Sequence, residues 1–597
     1  MTPPIRYAIR PSRPEAHLFE VRCTVSVPDS NGQRFFLPTW IPGSYMIREF
    51  ARCIVSIRAE AGGRSLAIDK LDKHTWRAAY VPDNEALTLI YEIYAWDLSV
   101  RAAHLDQTHG FFNGTSVFLA AEGCLNAPCL VDIQPADGQD WRVATTLPCA
   151  QGEPGAAQPW GFGLYRAADY FELIDHPVEM GVFTLDHFEA GGVRHSIALS
   201  GRHDCDMTRL KSDLGRICQW QIDLFGTPAP MEHYLFLMQA VDEGYGGLEH
   251  RASTALIVCR DNLPYPGMKK VSDGYMACLG LCSHEYFHLW NVKRIRPAAF
   301  EPCDLSRENY TRLLWAFEGI TSYYDNLALV RSGVISVGSY LGLLGKNISS
   351  VLKTPGRVRQ SVGQSSFDAW THYYRQDGNS PNAIVSYYTK GALIALALDL
   401  QLRQESAGHC SLDDVMRALW RRYGLSGVGV PEEGVFDMVA EIGGSRIACW
   451  LRKAVEGTED LPLEEWLNPF GIRYRAVPGT PSIGVKLGEN KTAACIATAY
   501  EGGPAQKAGL SAGDTLIAVD GLRVNGSSLA KMLERRRVGE RIEIHAFRRD
   551  ELMRFELVLA PAPLSAVKLS LKTKSDEVPL RDAWLGYDGR AKDVNYL

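Results

Sequence analysis

Over the first 175 residues, apolar positions alternate with polar ones or form short runs, as in "HLFEVRCTVSV", "CIVSIRAEAGG" and "TLIYEIYAWDLSV", with Gly, Pro, Asp or Asn between them. A period of two predicts strands, so residues 1–175 read as an all-β domain. From about residue 200 the spacing changes to three and four. "DMTRLKSDLGRICQWQIDLFG" predicts a helix, "YLFLMQAV" and "STALIVC" predict two strands, and another helix runs through "SHEYFHLW" at 283–290. In that helix Tyr275, Leu279, Cys282, Tyr286 and Leu289 form an apolar stripe, and at about 100° per residue His284 and His288 fall roughly opposite it. One face is then free to line a cleft. Beyond residue 300 helices are predicted over 308–331, 383–407 and 411–423, the last opened by Ser411 with Asp414 in capping-box spacing and closed by Gly424. Residues 176–467 therefore read as a mixed lobe followed by a helical one.

The stretch "NPFGIRYRAVPGTPSIG" is rich in Pro and Gly and reads as a linker over 468–482, ahead of a small domain at 483–562 and a polar tail at 563–597. Within the small domain "GPAQKAGLSAGDTLIAVDG" resembles the central turn, helix and strand of a bacterial-type PDZ domain. The resemblance implies a carboxylate-binding loop at Ile483, Gly484 and Val485, and a groove that takes the C-terminus of a peptide or protein as an added strand. The expected fold class is multidomain α+β: an N-terminal β domain, a mixed and helical middle, and a C-terminal PDZ domain.

Composition narrows the function classes. Hydrophobic residues make up 46% and charged residues 22%, which is ordinary for a soluble globular chain. A net charge of -6 provides no field that favours nucleic acid or anionic lipid, so neither is an expected partner. No apolar run approaches the length needed to span a bilayer, and "MTPPIRYAIRPSRPEAHLFEV" has no apolar core of a leader; the expected location is cytoplasmic. The 14 Cys are scattered without a C-x-x-C pair, so buried reduced thiols are expected rather than a cysteine-bound metal.

Histidines four apart on a helix stack about one turn above each other, so His284 and His288 are spaced to converge on one ion, with Glu285 on the adjacent face. The plain alternative is a surface helix with two solvated histidines. A catalytic zinc takes three protein ligands and keeps one position open. The candidate third ligand is Glu318 in "LLWAFEGITSYYDNLALVRSG", with Thr321 and Asp325 following at i+3 and i+7. A carboxylate on so apolar a helix is costly unless paired or metal-bound. Asp325 is placed to hold the free N–H of a zinc histidine.

"HEYFHLW" followed by "WAFEGITSYYD" resembles the gluzincin metallopeptidases, whose third ligand is a Glu in an E-G-[FI]-[TA] helix. With "TWIPGSYMIREFA" at 39–51, "HLWNVKRIRP" at 288–297, "VSYYTKGALIALALDL" at 385–400 and the PDZ domain, nearly the whole chain resembles the glycyl aminopeptidase family. The resemblance implies a thermolysin-like catalytic domain with one Zn2+ per chain on His284, His288 and Glu318, and Glu285 as general base. The implied activity is release of Gly, and secondarily Ala, from peptides with a free N-terminus. Tyr388, in "YYTKG", matches the oxyanion-stabilising Tyr of related aminopeptidases, with adjacent Tyr387 as competitor. "GGLEH" resembles their G-x-M-E-N strand, in which the backbone of Gly246 and Gly247 would pair with substrate and Glu249 would grip the α-amine; Leu248 and His250 depart from that pattern. The 29 residues between His288 and Glu318 exceed the thermolysin-like spacing, so the intervening segment must loop out. Two other readings stay open: a zinc endopeptidase in which Glu249 is structural, and a PDZ scaffold with a vestigial catalytic half. An intact set of ligands argues against the scaffold.

Overall fold

Every second residue of the first strands is buried, as the period of two requires: Ile5, Tyr7 and Ile9 in Ile5–Arg13, and Phe19, Val21 and Cys23 in Leu18–Val25. A computed structural model describes residues 3–82, 85–488, 493–562, 566–572 and 578–586. In it these strands form the centre of a seven-stranded sheet, ordered Gly163–Ala167, Cys129–Ile133, Ile5–Arg13, Leu18–Val25, Leu87–Tyr94, Ile54–Ala61 and Arg64–Leu66. Two four-stranded sheets complete the β-rich domain.

The chain divides into two units, one chiefly of Met1–Asn309 with Tyr423–Gly429, the other of Tyr310–Arg422 and Val430–Val594. The first unit also carries a five-stranded sheet. Its order is Phe183–Ala190, Val193–Ser200, His233–Val241, Ser253–Cys259 and Tyr245–Glu249, which leaves Tyr245–Glu249 at the edge. Val193–Ser200 and His233–Val241 are parallel, and the crossover between them is the helix Met207–Phe225. That helix fixes the rotation of the histidine helix, Asp273–Phe287: Gln221 Nε2 donates to the Ser283 carbonyl at 3.0 Å, and Tyr275 Oη donates to Asp213 Oδ2 at 3.0 Å. Instead of one apolar stripe, the histidine helix is buried on nearly all sides, with Met276, Cys278 and Leu281 enclosed as well as Tyr275, Leu279 and Tyr286. Its apolar residues go round the whole helix, which suits a helix packed on several sides.

The second unit holds the later helices and, after them, the PDZ domain. Ser411 and Asp414 form the expected capping box for Leu412–Leu419. Helix 308–331 is corrected: it opens with a π-helical turn, Trp315–Gly319, and becomes α-helical only at Ile320–Arg331. Helix 383–407 is likewise shorter, Thr389–Glu405, preceded by the single turn Ser380–Ala383. Buried acids and bases tie these helices together. Asp413 accepts from Arg331 Nη1 at 2.9 Å and from Tyr324 Oη at 2.7 Å, and Asp399 accepts from Arg403 Nε at 3.0 Å.

The segment read as a linker is a correction too. Ile472–Val477 is a strand that pairs antiparallel with Ala566–Leu571 of the expected tail, and Pro579–Leu585 folds as a helix whose buried Trp584 donates Nε1–H to Tyr323 Oη at 2.9 Å. The rest of the tail, 563–565, 573–577 and 587–597, lies outside the described residues. The PDZ domain packs Ile483, Ile496, Leu510, Leu516 and Ile544 into its own core, and Val485–Leu487 lies at one edge of its sheet.

Candidate active site

His284 lies in the last turn of the histidine helix and His288 is its C-cap, still in right-handed helical conformation. The four-residue step therefore brings their Nε2 atoms to 3.0 Å, with the rings nearly perpendicular at 87°. His288 Nδ1 donates to the Asn291 carbonyl at 2.6 Å, which leaves the Nε2 of a neutral ring as a lone-pair donor. Tetrahedral zinc with Zn–N of about 2.0–2.1 Å holds two ring nitrogens about 3.3 Å apart. The pair fits such an ion. The carbonyl at Asn291 was invisible in the sequence because it depends on how the chain turns after the helix ends.

Next to His288, the edge strand presents Glu249. One ligand-type atom each of Glu249, Glu285 and His288 lie within 4.8 Å of one another. Gly247 makes this convergence possible: a Cβ built on it would lie 2.5 Å from Glu285 Cγ and closer still to the carboxylate. Glu249 is 3% exposed, and its Oε1 is buried without a hydrogen-bond partner. Over it lies Gly43 of the "IPGSY" loop, at φ +97°, where a Cβ would come within 2.5 Å of both Glu249 oxygens. A buried carboxylate oxygen without a partner is costly unless a cation completes it.

The strand end is anchored one residue further on. His250 Nδ1 faces Asp175 Oδ1 at 3.2 Å, Lys293 Nζ donates to the same oxygen at 2.6 Å, and the Arg251 amide donates to Oδ2 at 3.0 Å. Burial opposes the charge on Asp175, but the Lys293 ammonium and His250 outweigh it and hold the carboxyl well below the usual range. Glu249, His250 and Lys293 line a cavity of about 1440 Å³ in the first unit together with Trp40, Tyr45 and Phe300.

In the second unit Glu318 occupies the π-turn and is 2% exposed among Trp315, Ala316 and Phe317. The widened turn has a packing cause: a Cβ on Gly319 would meet Gly391 Cα at 2.7 Å and the Tyr387 carbonyl at 2.9 Å, so the helix Thr389–Glu405 lies hard against it. Tyr388 precedes that helix, half-buried, with its hydroxyl 3.0 Å from that of Tyr374. Tyr387 is fully buried, its ring 4.7 Å from that of Tyr373. Asp325 Oδ1 accepts from the Asn326 amide at 2.5 Å. In the PDZ loop Ile483 is buried, Gly484 takes φ +75° and donates its N–H to Ser482 Oγ at 2.9 Å, and Val485 begins the edge strand.

Three family models match the chain: Peptidase M61 N-terminal domain over residues 6–182, M61 glycyl aminopeptidase over 277–394, and PDZ domain over 481–559. An aminopeptidase N family protein from Idiomarina loihiensis, solved by crystallography, is 41% identical with a TM-score of 0.92, and the match covers 97% of this chain and 100% of that one. An M1 zinc metallopeptidase from Deinococcus radiodurans is 14% identical with a TM-score of 0.48, covering 77% of this chain and 94% of its own. An aminopeptidase A from Legionella pneumophila, in complex with aspartic acid, is 12% identical with a TM-score of 0.48, covering 96% and 57%. No curated protein sequence matches.

The M61 matches and the 41%-identical aminopeptidase N family structure make the chain a metallopeptidase of the aminopeptidase class, and the paired histidines beside two converging carboxylates are side chains in it suited to a metal. Within that class, the chain belongs to the M61 glycyl aminopeptidase family.

Proposed function

We propose that the chain is a zinc-dependent aminopeptidase that releases glycine, and secondarily alanine, from the free N-terminus of peptides. The observation that carries this reading is the convergence of Glu249, Glu285 and His288 within 4.8 Å, with one Glu249 oxygen buried and unpartnered. A charge reader so close to the metal ligand leaves space for a single residue between the ammonium and the scissile carbonyl.

His284, His288 and Glu318 are the residues that would hold one zinc per chain, with Asp325 behind a zinc histidine. When bound, zinc supplies Lewis-acid chemistry toward the scissile carbonyl and toward water. Glu285 accepts the proton of the attacking water and returns it to the leaving amine. Tyr388 donates its hydroxyl to the developing oxyanion, and its part exposure favours it over the enclosed Tyr387. Glu249 receives the α-ammonium, and Gly246 and Gly247 offer edge-strand backbone to the peptide. A zinc endopeptidase has no use for Glu249 Oε1, which speaks for the exopeptidase. The PDZ loop at 483–485 is proposed to take peptide or protein C-termini against the open edge of Val485–Leu487.

All 14 cysteines are free, which suits a reducing, cytoplasmic setting. Among the described residues no helix is long and apolar enough to cross a membrane. The test is metal analysis with Glu285→Gln. The purified protein should carry about one zinc per chain, and the variant should keep the metal while turnover collapses. Full activity after exhaustive chelation would end the zinc reading.

A further inference from the structure

Arg101 reaches the edge strand from the β-rich domain, out of the loop between Leu87–Tyr94 and Ala103–Leu105. Its Nη2 donates to the Gly247 carbonyl at 3.2 Å, and its Nη1 lies 3.5 Å from the position of a Cβ on Gly246. Its Nε is buried without a partner. No carboxylate among the described residues pairs with it, although the chain pairs most of its part-buried arginines, including Arg209, Arg331, Arg403 and Arg548. An unpaired guanidinium thus sits beside the strand along which the substrate is read, and it occupies a carbonyl that a longer peptide backbone would otherwise use.

The distances select a ligand. Gly247 and Glu249 are two residues apart on an extended strand, about 7 Å at roughly 3.3 Å per residue. An extended dipeptide spans the same two residue lengths from ammonium to carboxylate, about 7 Å. A substrate with its ammonium on Glu249 and its chain along the strand therefore brings a carboxylate to the level of Arg101 only when it is two residues long. Guanidinium presents five N–H donors in a planar fork that matches a carboxylate, and only one of them is engaged with Gly247.

We infer that Arg101 is a subsite for the substrate's C-terminal carboxylate, so that the substrate class is dipeptides with a free N-terminus and a free carboxylate. This rests on the aminopeptidase reading above. The subsite complements Glu249: one residue reads each end of the dipeptide, and the scissile bond lies between them.

The experiment compares kcat/KM for glycyl-leucine and glycyl-leucine amide, both with a free amine, in wild type, Arg101→Gln and Arg101→Lys, with thermal melts as a fold control. In wild type the acid should exceed the amide by about 10-fold or more, as a charge-assisted contact implies. Arg101→Gln, which keeps a donor for Gly247 but loses the charge, should bring the ratio toward 1, and Arg101→Lys should fall between. An amide cleaved as well as the acid by wild type overturns the inference, and this comparison decides even if the Gln variant fails to fold. A ratio unchanged in a folded Arg101→Gln overturns it as well. Efficient cleavage of N-acetylglycyl-leucine instead of both free-amine substrates would overturn the aminopeptidase reading itself.

Discussion

Substituting Gly247 by alanine tests whether Glu285 acts as the base from the position seen here. The added Cβ would lie 2.5 Å from Glu285 Cγ, against about 3.4 Å for ordinary van der Waals contact, so the side chain must move by about 1 Å. Because the obstructed group is the far part of a flexible side chain, and Gly247 does not sit at positive φ, folding should be little affected. The carboxylate itself is displaced, and a shift of about 1 Å in a reacting group can cost on the order of 10²-fold in rate. Gly246→Ala is the internal comparison, since its Cβ meets nothing closer than Arg101 Nη1 at 3.5 Å. The assay is kcat on a glycyl substrate at saturation, with zinc content and melting temperature measured on the same preparations. We expect Gly247→Ala to melt near wild type, keep its metal and lose about 10² in kcat, and Gly246→Ala to lose far less. Equal, small losses in both variants would refute the assignment of Glu285 as base in this geometry.

Tyr388→Phe deletes only a hydroxyl, so kcat should fall by about 10² to 10³ with KM little changed; the same result from Tyr387→Phe, with Tyr388→Phe near wild type, would move the role by one residue. Burial holds His176 and His195 neutral, each pulled down to about 4 from an ordinary value of 6.5. The unfolded chain then binds protons that the native chain does not, so stability falls as pH drops from about 6.5 toward 4, by up to about 3 kcal/mol for each group. Burial opposes the charge of His109, but Glu179 outweighs it and raises the group, which works in the other direction for one site. A urea midpoint that stays flat or rises between pH 7 and 5 would contradict this balance.

The parts of the site that follow a local period could be read from the chain: two histidines four apart, the carboxylate beside them, and a Gly-rich edge strand ending in Glu249. Contacts set by distant packing could not. Nothing near Gly43 says that its missing side chain accommodates Glu249, because the two meet only after the β-rich domain and the five-stranded sheet have folded. The π-turn at Glu318 was hidden because a helical period of 3.6 fits "WAFEGITSYYD" well; the extra width comes from the close approach of Gly319 and Gly391. Arg101 carries no local pattern at all. The linker reading of 468–482 failed because Ile472–Val477 is stabilised by Ala566–Leu571, a partner on the far side of the PDZ domain. A short polar strand without a neighbour in sequence looks like a connection.

The claim that most needs testing is that Glu249 reads the free amine, since the aminopeptidase reading depends on it. The measurement is the ratio of kcat/KM for a free-amine glycyl substrate to that for its N-acetylated form, in wild type and in Glu249→Gln. Contacts to a charged group are worth roughly 1.5 to 3 kcal/mol, so the ratio should be large in wild type and fall by about 10- to 200-fold in the variant. A ratio that does not change with the substitution would contradict the account and give the lead to an endopeptidase.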